Sequence, residues 1–184
     1  MNRRDLTALF EPRSVLLVGA TGDTKKWGGW VTKSFAQTHE RRATHFVSLR
    51  GGELYGIPVH TAIPDVAAEI DLAVIVVPAP GVPEAVTQSL ALGAKALVII
   101  TSGFGETSAE GRAVQEAIVA EARAAGAVVL GPNCLGLYDD ATQLNVYGGT
   151  FPSGDLALAT QSGNLALEVA LLLDRKSTRL NSSH

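Results

Sequence analysis

Cysteine is nearly absent from this chain: Cys134 is the single one in 184 residues. One thiol excludes an internal disulfide framework and fits a reducing compartment. Aromatic residues are scarce at 5%, so aliphatic side chains and close backbone approaches must fill the core. No apolar run reaches the roughly 18 to 20 residues needed to cross a bilayer. The opening Met1-Asn2-Arg3-Arg4-Asp5 lacks the apolar segment of a secretory signal. The net charge of −3 gives no electrostatic footprint for nucleic acid. A cytoplasmic protein is the expectation, with no membrane or nucleic-acid partner and no metal ligands.

What is present is an ordinary globular balance, 46% hydrophobic and 18% charged, with 19 glycines. Strand and helix signals alternate along it. Ser14–Val18 reads as a strand ending at Gly19-Ala20-Thr21-Gly22, with a helix from about Gly28 to Thr38. Thr44–Leu49, Asp71–Val77, Lys95–Thr101 and Ala127–Leu130 read as further strands. Helices are expected from about Gly81 to Leu92, with proline in the first turn, and over Ser108–Ala125, with Gly126 as C-cap. Buried, non-alternating strands separated by helices predict an α/β fold, a Rossmann-like doubly wound parallel sheet. Tyr138–Pro152 shows little periodicity. Leu156–Thr160 then reads as a strand and Asn164–Leu173 as a helix, the first βα unit of a second, flavodoxin-like domain.

The loops at the strand ends carry the chemistry. Gly131-Pro132-Asn133-Cys134-Leu135-Gly136 is bounded by glycines and stiffened by proline. Loops at the carboxyl ends of parallel strands are where open α/β sheets place ligands. The turn at Gly19–Gly22 lies where a first strand meets a first helix, so its amides and the helix dipole can receive a phosphate. Its spacing is not GxGxxG, because the next glycine is Gly28. After the second strand stands Arg50-Gly51-Gly52 where an NAD site wants an acid. A cation there suits a phosphorylated ribose, the 3′-phosphate of coenzyme A or the 2′-phosphate of NADP; an ordinary solvated arginine is the alternative. Val77-Pro78-Ala79-Pro80 and Thr101-Ser102-Gly103-Phe104-Gly105-Glu106 fall on the same rim. Gln161-Ser162-Gly163 opens a helix, with Ser162 a candidate N-cap.

Six segments occurring in order carry a family resemblance. They are Phe10–Val15, the Gly19–Gly28 turn, Asp71–Pro78, Gly103–Glu106, Gly131–Gly136 and Gln161–Gly163. Together they resemble the NDP-forming acyl-CoA synthetases (ADP-forming acetate–CoA ligases), relatives of the succinyl-CoA synthetase α subunit. The resemblance implies CoA contacts at Gly19, Thr21, Gly22, Asp23, Thr24, Arg50, Pro78, Ala79, Thr101, Ser102, Gly103 and Asn133. It places Gly131, Pro132, Asn133, Cys134, Gly136, Gln161, Ser162 and Gly163 around the CoA thiol and a transferred phosphate. It also implies a phosphohistidine, ADP or ATP and magnesium in regions beyond this chain, since His39, His45 and His60 match no such position. Further ligase and nucleotide-grasp domains or subunits would be its partners. Ser48-Leu49, where an Asn-Pro pair is common, and Trp27 depart from the family pattern. Cys134, with no histidine near it in sequence, is not expected to be a nucleophile.

Three segments are therefore expected: residues 1–150 as a CoA-binding domain, 151–173 as the start of a ligase domain, and 174–184 as a foreign tail. Asp174-Arg175-Lys176-Ser177-Thr178-Arg179-Leu180-Asn181-Ser182-Ser183-His184 resembles the translation of a sequencing adapter. GATCGGAAGAGC reads Asp-Arg-Lys-Ser, and the adapter's continuation supplies the rest. Two other functions remain open at this point, an NADP-dependent oxidoreductase and a regulatory CoA-binding module fused to an acetyltransferase domain.

Overall fold

The structure, a computed structural model, describes residues 5–147, 151, 153–154, 157–169 and 171–172. The foreign-tail segment lies outside the described residues. The chain divides into two compact units, Met1–Gly148 and Gly149–His184.

The first unit opens with a short helix α1 (Thr7–Phe10) and proceeds through β1 (Ser14–Val18), α2 (Trp27–Gln37), β2 (Ala43–Val47), β3 (Gly52–Leu54) and β4 (Ile57–His60). It continues with β5 (Leu72–Ile75), α3 (Val82–Ala91), β6 (Ala96–Ile99), α4 (Ala109–Ala124), β7 (Val128–Leu130), β8 (Tyr138–Asp139) and β9 (Leu144–Asn145). Seven strands form one sheet in the order β3-β4-β2-β1-β5-β6-β7. Every pairing in it is parallel except β3 with β4. This is the doubly wound α/β fold expected.

Alternation along the central strands sorts their side chains onto two covered faces. Leu16, Val18, Ala73, Ile75, Leu97 and Ile99 meet Val82 and Val86 of α3 and Ile118 and Ala122 of α4. Val15, Leu17, Val74 and Val98 meet Val31 and Phe35 of α2, together with Leu9, Leu144 and Val146. Burial on both faces is why β1, β5 and β6 read as unbroken apolar runs. Two of the helices carry a local start signal. Ser108 caps α4 by accepting from the Gly111 amide at 3.0 Å. Pro83 sits in the first turn of α3, where no amide partner is lost.

Several segments differ from the sequence expectation. Residues 48–50 turn away from the sheet, so β2 stops at Val47 and Leu49 is 95% exposed. The region after Gly52 forms a hairpin, pairing Leu54 with Ile57 across Tyr55-Gly56. Both turn residues have positive φ, the geometry of a type I′ turn, for which glycine is suited. The stretch from Tyr138 forms the β8–β9 hairpin, whose Leu144, with Val146 just after it, is fully buried against Val31 and Phe35. The buried Arg42 holds that hairpin by donating to the Gln143 carbonyl at 3.3 Å and to the Thr142 carbonyl.

In the second unit, residues 163–169 are helical. Ser162 Oγ accepts from the Leu165 amide at 3.4 Å, the N-cap arrangement. The strand expected over Leu156–Thr160 is not formed by 157–160, which join no strand among the described residues; Leu156 lies outside them.

Candidate functional site

The chain leaves β1 for β2 on one side of the sheet, and later leaves β5 for β6 on the other. The carboxyl ends of β1 and β5 therefore part over a crevice, the switch point at which such sheets bind ligands. Gly19, Thr21, Gly22, Asp23 and Thr24 follow β1; Arg50 follows β2; Pro78 and Ala79 follow β5. Thr101, Ser102 and Gly103 follow β6, and Gly131, Pro132, Asn133, Cys134 and Gly136 follow β7. Five separate loops thus meet one rim.

The β1–α2 turn is wound tightly enough to demand its glycines. A Cβ on Gly19 would lie 2.6 Å from the Val76 carbonyl oxygen, one on Gly28 2.5 Å from that of Gly19, and one on Gly29 2.0 Å from that of Asp23. Thr32 locks the turn from below, donating to the Gly28 carbonyl at 2.6 Å and accepting from the Thr21 amide at 3.1 Å. Asp23 accepts from the Lys25 amide at 3.0 Å and lies 3.7 Å from the Lys26 ammonium. No side chain caps α2. The amides of Gly22, Thr24, Trp27 and Gly28 have no partner among the described residues. A row of unpaired amides at a helix N-terminus, with two lysines beside it, is chemically suited to phosphate oxygens. Lys25 and Lys26 were not singled out in the sequence, because exposed lysines before a helix look like ordinary solvated charge. The Arg50 side chain is exposed and makes no ion pair among the described residues.

The later loops are tied to one another. Thr101 Oγ1 donates to the Val77 carbonyl at 2.7 Å, and the Asn133 amide donates to the Thr101 carbonyl at 2.9 Å. Gly131 has φ of +97°, and a Cβ there would sit 2.3 Å from the Ile99 oxygen. The Gly131–Pro132 peptide is cis, and Asn133 adopts φ of +55°. Cys134 turns its thiol inward, 3.3 Å from the Ile99 carbonyl that accepts from it. Burial pushes this thiol above its ordinary pKa, the opposite of what a nucleophile needs. The loop turns Cys134 into the protein and leaves Asn133 exposed at the strand end.

His45 lies within β2, whereas His60 ends β4 opposite Val47, its carbonyl accepting from the Ser48 amide at 3.0 Å. Burial and the neighbouring His60 lower the pKa of His45, and its Nε2 is buried without a partner among the described residues. Gln161, Ser162 and Gly163 belong to the second unit, where they form the start of its helix.

Residues 13–140 match the CoA-binding domain family. That span contains the whole sheet and every rim loop. The chain belongs to the CoA-binding domain family. Among curated proteins it is 34% identical over 161 residues to subunit alpha of ADP-forming acetate–CoA ligase II from Pyrococcus furiosus, covering 87% of this chain and 35% of that protein. Subunit alpha of ligase I from the same organism is 36% identical over 173 residues, covering 91% and 37%. A solved Pyrococcus horikoshii structure superposes with a TM-score of 0.88 at 32% identity, covering 94% of this chain and 40% of the other. The dinucleotide-forming acetyl-coenzyme A synthetase 1 of Candidatus Korarchaeum cryptofilum gives 0.82 at 32% identity, covering 90% and 36%. This CoA-binding domain is thus homologous to the alpha subunits of ADP-forming ligases, and spans about a third of their length. Among the described residues no helix is long and apolar enough to cross a membrane, and no group of histidine, cysteine and acidic side chains could hold a metal ion.

Proposed function

We propose that this chain is the CoA-binding portion of an NDP-forming acyl-CoA synthetase. In the whole enzyme, phosphate attacks an acyl-CoA to give acyl phosphate and free CoA. The phosphoryl group then passes to a histidine, releasing the carboxylic acid, and from the histidine to a nucleoside diphosphate. The chain's own share is to bind and orient CoA. The observation that carries this reading is the crevice at the β1/β5 switch point, where the unpaired amides of Gly22, Thr24, Trp27 and Gly28 stand at the α2 N-terminus. These amides, with Gly19, Thr21 and Asp23 shaping the turn, would hold the diphosphate. Arg50 would meet the phosphorylated ribose. Pro78, Ala79, Thr101, Ser102, Gly103 and Asn133 would line the path of the pantetheine arm towards the Gly131–Gly136 loop.

Residues 151–173 would begin the ligase domain, with the helix start at Gln161-Ser162-Gly163 directed to the transferred phosphate. The phosphohistidine, the ADP or ATP site and its magnesium would belong to other parts of that enzyme, in a cytoplasmic setting.

Titration calorimetry of the chain with CoA, dephospho-CoA and NADPH tests the reading. CoA should bind more tightly than NADPH; the reverse order would overturn it in favour of an NADP-dependent enzyme. Arg50→Glu should weaken CoA about tenfold, the loss of one charge-assisted phosphate contact, while leaving dephospho-CoA within about twofold. Equal losses for both would remove Arg50 from the 3′-phosphate site.

A further inference from the structure

The loop from β6 to α4 is held from both ends, but its middle depends on one side chain. Upstream, Thr101 is anchored through its hydroxyl to Val77 and through its carbonyl to Asn133. Downstream, Phe104 is buried in the core, and its carbonyl accepts from the Thr107 amide at 2.9 Å and the Thr107 hydroxyl at 2.8 Å. Gly105 is clamped to α4, its amide donating to Gln115 Oε1 at 3.2 Å and its carbonyl accepting from Arg112 at 3.2 Å. Between these anchors lie Ser102 and Gly103, both exposed on the crevice rim. Gly103 has φ of +107°, and a Cβ there would come within 3.3 Å of the Ala79 side chain. The bonds that hold this stretch come from Glu106: Oε1 accepts from the Gly103 amide at 2.6 Å and Oε2 from the Phe104 amide at 3.2 Å.

We propose that Glu106 is a positioning residue for the ligand, setting the Ser102–Gly103 segment against Ala79 so that the two loops form one wall of the crevice. This rests on the CoA reading above. The carboxylate suits the task because it accepts at both oxygens, one for each amide. A glutamine offers a single carbonyl oxygen and brings an NH2 group against a backbone N–H, so one amide loses its partner. Those same bonds hold the Glu106 carboxyl below the usual glutamate range, so the arrangement persists through neutral and mildly acidic pH. It also means that the Gly103 and Phe104 amides face Glu106 and are already satisfied. Hydrogen bonds from this loop to a ligand would then come from Ser102, with Gly103 lining the wall.

Calorimetry with CoA and dephospho-CoA on the wild-type chain and on Glu106→Gln and Glu106→Asp tests this. Glu106→Gln should weaken both ligands equally, by about tenfold, with a melting temperature close to wild type, because the residue is exposed. Glu106→Asp keeps the charge and should recover part of the loss. In amide NMR, the Gly103 and Phe104 resonances should shift strongly in Glu106→Gln while those of Gly22 and Asn133 hold still. Wild-type affinity in Glu106→Gln, beside a wild-type chain that binds CoA, would overturn the positioning role alone. A wild-type chain that fails to bind CoA would overturn the CoA reading and this role together.

Discussion

Asp71→Asn should destabilise the domain without touching the ligand. Asp71 stands at the start of β5, on the edge of the sheet opposite the crevice, and its side chain is 8% exposed. It accepts from the Arg13 amide at 3.0 Å, from Arg13 Nε at 3.0 Å and from Arg13 Nη2 at 3.2 Å, with the Lys95 ammonium 3.7 Å away. Its own amide donates to Ser14 Oγ at 2.9 Å, and its carbonyl accepts from the Lys95 and Ala96 amides. One residue thus ties β1, β5 and β6 together. Asparagine keeps the volume but loses the charge, and its NH2 opposes the guanidinium. Hydrogen bonds to charged groups contribute about 1.5–3 kcal/mol each, and the guanidinium's exposure to solvent lowers their sum. A net loss of about 2 kcal/mol is expected, or roughly 4–8 °C in melting temperature for a domain of this size.

The pH dependence gives that prediction its sign. The bonds from Arg13 hold the Asp71 carboxyl below its ordinary value. Its contribution is therefore complete above the unfolded value near about pH 3.9, and is lost as pH falls through the folded one. Denaturant unfolding at pH 7, 5, 4 and 3 should show a gap between wild type and Asp71→Asn that is constant at the two higher values and shrinks below about pH 4. Arg13→Ala should cost less, since the residue 13 amide and Lys95 still serve the carboxylate. CoA affinity at 20 °C should be that of wild type. An undiminished gap at pH 3, or none at pH 7, would refute the reasoning.

Gly29→Ala should abolish CoA binding and lower stability together. The added methyl would lie 2.0 Å from the Asp23 carbonyl oxygen, so the β1–α2 turn must open; wild-type affinity in calorimetry would contradict this. Cys134 should react with a disulfide reagent far more slowly in the folded chain than in denaturant, because its thiol is inward and its pKa is raised by burial; equal rates would place the thiol outside. The pKa of His45 is lowered in the fold, first by burial and then by His60, which favours its neutral ring. Its contribution is therefore full above the unfolded histidine value near about 6.5 and declines as pH falls below it. His45→Leu should be more stable relative to wild type at pH 5.5 than at pH 7.5, and a pH-independent difference would exclude the effect.

The four central strands and three long helices were legible because their side chains are buried on both faces or along one stripe, and burial leaves a periodic trace. The strand ends, and with them the rim loops, followed from glycine and proline punctuation. The hairpins were not legible. β3–β4 carries exposed residues on a sheet edge, and its signal is the lone Tyr55-Gly56 turn. β8–β9 strands are two residues long, too short for any period to show. Leu144 and Val146 look like loop residues until the fold brings them beneath α2.

The same division runs through the site. The order of motifs along the chain was enough to name a CoA-binding family, and the glycines marked where strands end in loops, because glycine at a strand end is demanded by local backbone geometry. Which atoms those loops offer was decided only in three dimensions. The Gly22, Thr24, Trp27 and Gly28 amides have no partner among the described residues, α2 beginning there without a side-chain cap, and the Gly103 amide is withheld because Glu106 reaches back to it. Cys134 faces inward because the Ile99 carbonyl lies beneath it. Hydrogen-bond partners distant in sequence leave no pattern in the chain, so only the packed structure separates a free donor from a satisfied one.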